Sequence, residues 1–455
     1  MKKYLMLLFI LINCASSFAQ TNPIISAWLQ NTTGIMGQHY VNGNSTPIPD
    51  TDSANVQTVL YSTNWSYIRS KGIPAYVTGP FLDGNPSIAT NQNAIFKMPL
   101  NPVQNTGTPT NTTGGNIGLF INGVALFDYR DGVSWKNATS QLCGGPVMPP
   151  CVGDGVWTRD AVPAERLGFD CAKGHPAMGN YHHHQNPSAF DLDINVISTV
   201  CNLYNADGLY VIDSTQHSPL IGFAYDGFPI YGAYAYQNTN GTGAIMRMKS
   251  SYQLRNITTR TTYANGTAVT PGPPVTTTYP IGYFREDYAY IPTSAATPDY
   301  LDEHNGRFCA TPEYPNGIYC YFATVDTNWN SKYPYVVGPT FYGVKTAVKV
   351  TAITESVTVY TSASIGISEN KINELNLTVF SVNASDLIVV QSNQLTKESI
   401  EIVLYDIKGR LIDKTILYQG STIAYFDTKR IYDGEYIIHA TNGKDVFNKK
   451  ISIIK

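Results

Sequence analysis

Short apolar runs alternate with clusters of Gly, Pro, Asn, Asp, Ser and Thr along most of this 455-residue chain, a rhythm that favours short strands joined by turns over long helices. The clearest case is Ile117–Phe127, where two apolar runs flank Asn122-Gly123. That pair readily takes up a type I′ turn, so a hairpin is expected. Tyr67–Pro80 reads as strand, turn and strand, with Pro74 confining it to an edge or a turn. A brief helix is expected between Asp160 and Asp170, with Ala161, Ala164 and Leu167 on one side and Pro163 limiting it to about two turns. Asp226-Gly227 marks a tight turn within the apolar segment His217–Gly232, and Gly266–Pro280 has the composition of a surface loop.

Near the C-terminus the pattern changes. Aromatic and proline content falls over 346–372, as in a linker, and about seven short strands follow: Leu377–Val379, Leu387–Val390, Ile400–Tyr405, Arg410–Ile416, Ile423–Phe426, Gly434–Ala440 and Val446–Ile454. Turns fall at Lys408-Gly409, Asp433-Gly434 and Asn442-Gly443. The fold class expected is mainly β: a large disulfide-stabilised β-rich central domain over 20–345, a linker over 346–372, and a small Ig-like β-sandwich over 373–455.

Lys2 and Lys3 precede the apolar run Leu5–Ile12, and Ser17-Phe18-Ala19 follows, which predicts a signal peptide over 1–19 cut after Ala19. The run is too short for a transmembrane segment and no later stretch is long enough, so export across the inner membrane to a secreted or cell-surface location is expected. Asn13 before Cys14 is a poor fit for a lipid-anchored start. Six cysteines then remain, an even count that suits disulfides in an exported chain. Proximity suggests Cys143 with Cys151, Cys171 with Cys201, and Cys309 with Cys320 across a hairpin turning at Pro315-Asn316-Gly317. The absence of any Cys-x-x-Cys argues against a thiolate metal site. With 14% charged residues and a net charge of -3, the chain lacks the basic footprint of a nucleic-acid binder.

Candidate chemistry gathers in Gly179–Pro187, which holds His182, His183 and His184 in a row. On a strand, His182 and His184 share one face and His183 joins Tyr181 on the other. A His-x-His pair can direct two ring nitrogens at one ion, and imidazole ligation suits copper, zinc, iron or nickel. His217 is the preferred third ligand, with His175 and His304 weaker candidates. Asp226 and Tyr231 are weak candidates for moving a proton beside such an ion, and Asp191 with Asp193 would either join the site or cap a turn. Two other readings compete: a metal-dependent extracellular hydrolase with an open coordination position, and a carbohydrate-binding or adhesion module in which the Tyr and His surface holds an extracellular glycan or small ligand without catalysis.

Residues from about 60 to 343 resemble the YHYH-domain family through Gly179–His184, His217–Gly232 and His304–Gly317. His183 replaces the second tyrosine of the signature, while both signature histidines are kept as His182 and His184. The tail resembles the sorting domain of type IX secretion cargo through Val403–Gly409, Tyr432–Tyr436 and Asn448–Lys455, with Ser381-Val382-Asn383 where Pro-Asn-Pro is usual. That resemblance implies the type IX secretion machinery as a partner, passage across the outer membrane, removal of the tail, and release or surface attachment.

Overall fold

The structure, a computed structural model, describes residues 22–84, 87–145, 151–188, 201, 203–204, 208–293, 297–361, 375, 377–382, 387–392, 394–406, 410–443 and 445–453. The expected signal peptide, Asp191, Asp193, the second half of the expected linker and the expected Lys408-Gly409 turn lie outside them. The chain divides into two compact units, Met1–Thr361 and Ser362–Lys455. No helix among the described residues is long and apolar enough to cross a membrane.

The first unit is built on an eight-stranded mixed sheet. In spatial order its strands are His175–Ala177, Asn180–His183, Ala125–Phe127, Asn116–Phe120, Leu220–Ala224, Pro229–Tyr231, Ile318–Phe322 and Gly306–Cys309. Leu220–Ala224 is buried at all five positions, as expected of an apolar run covered on both faces in the middle of a sheet. The core it helps to form includes Leu119, Phe120, Leu126, Phe223, Ile230 and Phe322. The histidine strand runs parallel to Ala125–Phe127, one place in from the sheet edge.

The hairpin around Asn122-Gly123 forms, but not as the expected type I′ turn. Gly123 takes a left-handed φ of 79° while Asn122 is not among the positive-φ residues. The Gly123 amide bonds the Phe120 carbonyl, and the Asn122 side chain accepts the Val124 amide. A turn closed by a left-handed glycine is the three-residue alternative to type I′. Glycine is required twice over, since a Cβ at position 123 would stand 2.2 Å from the Ser70 hydroxyl.

In Tyr67–Pro80 only the first strand, Trp65–Ser70, is realised. Pro74 lacks the amide a ladder needs, and beyond it Thr78 makes an isolated bridge with His39. The stretch expected to be a linker contributes Val348–Val350 and Thr358–Tyr360, which add to the two edges of the five-stranded sheet containing Val56–Tyr61, Trp65–Ser70 and Ala94–Pro99. The Gly266–Pro280 loop is largely exposed yet anchored, because Trp157 donates from its indole to the Thr270 carbonyl. Arg260 forks onto both oxygens of Asp287 and also bonds the carbonyls of Pro273, Tyr279 and Pro280.

Cys143–Cys151 and Cys171–Cys201 are disulfides, as expected. Cys309 and Cys320 correct the expectation: both are free and buried. The hairpin does form, but its register sets Cys309 opposite Ile318 and Cys320 opposite Arg307. The thiols are therefore diagonal neighbours, and the wider Cβ spacing of a diagonal pair does not meet disulfide geometry.

The second unit contains all seven expected strands, ordered Leu377–Val382, Leu387–Ser392, Ile423–Asp427 in one sheet and Leu411–Leu417, Ile400–Asp406, Gly434–Thr441, Val446–Ile453 in the other. Burial alternates along the strands, with Tyr436, Ile438 and Ala440 inward in one sheet and Ala424 and Phe426 in the other. Inward residues of both sheets share one core, which defines a β-sandwich.

Two tests follow from these contacts. Alkylation without reduction, followed by mass spectrometry of the unfolded chain, should label Cys309 and Cys320 and spare Cys143, Cys151, Cys171 and Cys201; an unlabelled Cys309 would mean that the hairpin adopts another register. Arg260→Met strands the Asp287 carboxylate, both side chains being fully buried, and should cost about 3–5 kcal/mol in a urea melt. A loss within a few tenths of a kcal/mol would show that the loop anchor is dispensable.

Candidate metal centre

His175 and His182 face each other across a tight hairpin. His175–Ala177 pairs with Asn180–His183 so that His175 is directly opposite His182, and the two turn residues Met178 and Gly179 have φ of 50° and 83°. A two-residue turn with both φ positive matches the right-handed twist of the strands it joins. Alternation along the strand does the rest. His182 and His184 turn to one side, with ring centroids 4.8 Å apart, while His183 turns to the other, edge-on to Tyr181 and bonded to the Tyr76 hydroxyl at 2.7 Å. The loop leading into His175 is held by Asp170, whose carboxylate accepts from the amides of Gly79, Ala172 and Gly174 and from the Tyr181 hydroxyl.

The outer nitrogens of two rings are committed. His182 Nδ1 donates to the Asn180 carbonyl at 2.8 Å, and His184 Nδ1 donates to the Asp128 carbonyl at 2.6 Å. With the proton fixed on Nδ1, each ring presents an Nε2 lone pair inward. Those atoms lie 3.1 Å apart, and His175 Nε2 is 3.4 Å from His184 Nε2. Lone pairs at this distance repel unless a cation relieves them, either a proton on one ring or a metal ion shared by all. Phe127 stacks on His182 with centroids 3.9 Å apart and planes within 22°, fixing its tilt.

Glu165 completes the group. It ends the helix Ala161–Glu165, which is capped at its start by the Asp160 side chain accepting the Val162 amide. Its Oε2 lies 3.3 Å from His175 Nε2 and 3.4 Å from His184 Nε2. Burial opposes its charge, yet hydrogen bonds and positive charge from His175 and His184 hold the carboxyl well below its usual range. His184 is raised in turn, because the Glu165 contact outweighs burial, whereas burial and the neighbouring imidazoles depress His182. Ligand bonds of about 2.0–2.1 Å to a tetrahedral ion place neighbouring donor atoms about 3.3–3.4 Å apart. The three distances that join His175, His184 and Glu165 fit that spacing, and the His182–His184 approach is slightly shorter.

Among the described residues, the cluster with metal-ligand spacing is His175, His182 and His184, which brings in the weaker candidate His175 and leaves out the preferred His217. His217 donates from Nδ1 to its neighbour's carbonyl at Ser218 and packs edge-on against Tyr231. His304 bonds the Thr340 hydroxyl. Asp226 is a buried turn former: it accepts from Tyr321 and from the Phe228 and Gly343 amides, and burial pushes its carboxyl up to about 6. Tyr231 bonds Thr311 and Glu313. None of these four bonds the imidazole group. The three imidazoles are buried, with exposures of 8, 2 and 4%, and offer no open stacking platform. Glu165 was not legible as a partner, although the Met178-Gly179 turn between His175 and His182 was a signal for the third histidine.

Residues 95–335 match the family model described as YHYH protein, and residues 361–455 match that of a secretion system C-terminal sorting domain, which indicates the type IX machinery. No curated protein matches the chain. Among solved structures, a DUF3244-family protein with an immunoglobulin-like β-sandwich fold from Bacteroides vulgatus is similar at 14% identity, covering 17% of this chain and 84% of that one, with a TM-score of 0.16. The sandwich assignment rests instead on the strand order and alternation described above. The YHYH match spans more than half of the sequence and contains the whole histidine cluster, and this chain belongs to the YHYH protein family, with a type IX sorting domain at its C-terminal end.

Proposed function

We propose that the YHYH domain binds a transition metal through His175, His182 and His184, with Glu165 as the fourth contact. The observation that carries this is the approach of two Nε2 atoms to 3.1 Å while both Nδ1 protons are held by backbone carbonyls. Three imidazoles and one carboxylate suit zinc, copper, iron or nickel. A bound ion would supply Lewis acidity and lower the pKa of a coordinated water. The chain's own part is to fix the rings through Asn180, Asp128 and Phe127, and to exclude bulk water from the imidazoles. The Glu165 side chain is 26% exposed, so this carboxylate stands where the site meets solvent. Four protein donors around a tetrahedral ion leave no open position, so as drawn the site is a binding site; a hydrolase reading requires Glu165 to yield its place to water.

The domain acts outside the cell in this reading. A signal peptide cut after Ala19 brings the chain across the inner membrane, and the sorting domain carries it to the surface or into the medium. The strands Val348–Val350 and Thr358–Tyr360 belong to the first unit, so the dispensable part of the tail begins after Thr361.

Elemental analysis of purified variants tests the centre. His175→Ala, His182→Ala and His184→Ala should each come out with less than a tenth of the parent's metal, and Glu165→Gln should weaken binding on the order of 10–100-fold. His183→Gln and His217→Ala should match the parent. An empty parent, or equal loss in the His183 variant, rules the centre out. For export, truncation after Thr361 should retain the protein inside the cell with its protease-resistant first unit intact; normal release of that truncated chain would remove the assigned role of the tail.

A further inference from the structure

A second feature sits directly behind the histidine cluster. The helix Ala161–Glu165 and Phe169 separate the imidazoles from a cavity of about 310 Å³. Glu165 faces His175 and His184, whereas Val162 and the following Arg166 line the cavity. Phe169 serves both sides: it is edge-on to His175 at 4.9 Å, lies 6.2 Å from His184, and forms part of the cavity wall. Gln185, the neighbour of His184, also lines the cavity.

The lining has a definite chemistry. Tyr283, Tyr288 and Tyr335 join Phe169 as aromatic walls. Tyr288 is held by parallel stacking on Tyr333, with centroids 4.0 Å apart, and Tyr335 by its hydrogen bond to Asp160 at 2.6 Å. No Asp or Glu lines the cavity, but the solvent-exposed Arg166 and Lys332 do, with no ion pair for either among the described residues. The Ser331 hydroxyl on the same wall is buried without a hydrogen-bond partner. Asp160, behind the wall, is pushed up to about 8 by burial and adds little opposing charge at neutral pH. An aromatic slot with two cations at its solvent edge, a free hydroxyl and no acid in its lining complements a flat, negatively charged molecule, and its volume falls at the small end of ligand pockets, about 300–1,000 Å³.

We propose that this cavity binds a small aromatic carboxylate, its ring between the Phe169 and tyrosine walls and its carboxylate drawn to Arg166 and Lys332. As a substrate or product site it rests on the metal reading above; as a binding site it stands on its own lining. The test is calorimetric titration of the full chain, before and after stripping with a chelator, with benzoate, benzamide and benzylamine as probes. Benzoate should bind at least tenfold more tightly than benzamide, with no detectable binding of benzylamine. Arg166→Gln combined with Lys332→Gln should abolish that preference while leaving metal content unchanged. Equal affinity for benzoate and benzamide, undetectable benzoate binding, or a preference that survives the double substitution overturns the proposal. Benzoate preference in the stripped protein supports the cavity even where the parent holds no metal, so the two readings fail separately.

Discussion

The arrangement at the centre of this protein depends on two backbone carbonyls. Asn180 and Asp128 each take the Nδ1 proton of an imidazole, and those bonds decide which nitrogen of His182 and His184 points inward. Buried imidazole carries no fixed preference between its tautomers; a hydrogen bond on one side sets the character of the other. Once both protons are held outward, the lone pairs converge, and the repulsion between them is an energetic demand for positive charge. Glu165 meets that demand from one direction by favouring a proton on His184, and a shared ion would meet it for the whole group.

Such a centre needs a scaffold that does not relax. The Asp128 carbonyl follows the strand Ala125–Phe127, whose partner is the histidine strand itself, so the acceptor and the ring are built on neighbouring elements of one sheet. Phe127 at the end of the same strand stacks on His182. On the opposite face, Tyr181 and His183 are tied to Asp170 and Tyr76, so the strand cannot roll without breaking buried hydrogen bonds. An unpaired buried polar group costs about 1–3 kcal/mol, and these bonds therefore resist rotation more firmly than apolar packing alone.

What was legible in the sequence was local. Short runs and the spacing of the turns between them identified all seven strands of the sandwich, and period-two alternation sets the buried face of strands such as Ile423–Asp427 and Gly434–Thr441. The same period separated His182 and His184 from His183. Less accessible were features set by tertiary register. The diagonal offset of Cys309 and Cys320 depends on how the hairpin slides, and composition does not report that. His217 was preferred as third ligand because an apolar run follows it; that run is buried, but it lies in the middle of the sheet, where the imidazole meets Tyr231. Glu165 gave no signal, since a single acid in a short helix is ordinary and its partners are distant in sequence. Strands within the expected linker were missed because edge strands of Val, Thr and Lys are hard to tell from connecting chain.

The abundance of tyrosine has a structural logic linked to the site. Tyr129, Tyr181, Tyr231, Tyr321 and Tyr335 are all buried, yet each hydroxyl or its neighbour contacts a polar group: Tyr333 for Tyr129, and the carboxyl oxygens of Asp170, Glu313, Asp226 and Asp160 for the others. A buried tyrosine brings a large apolar ring and a donor at its tip, so it can fill volume and satisfy an interior acid at once. Phenylalanine would supply the packing but strand the carboxyl. In this domain the acids so capped cap helices, close turns and anchor loops, as Asp160, Asp226 and Asp170 do. Polar interior contacts of this kind specify one arrangement where apolar packing tolerates several, and a centre that depends on lone pairs meeting within about 3 Å requires that degree of specification.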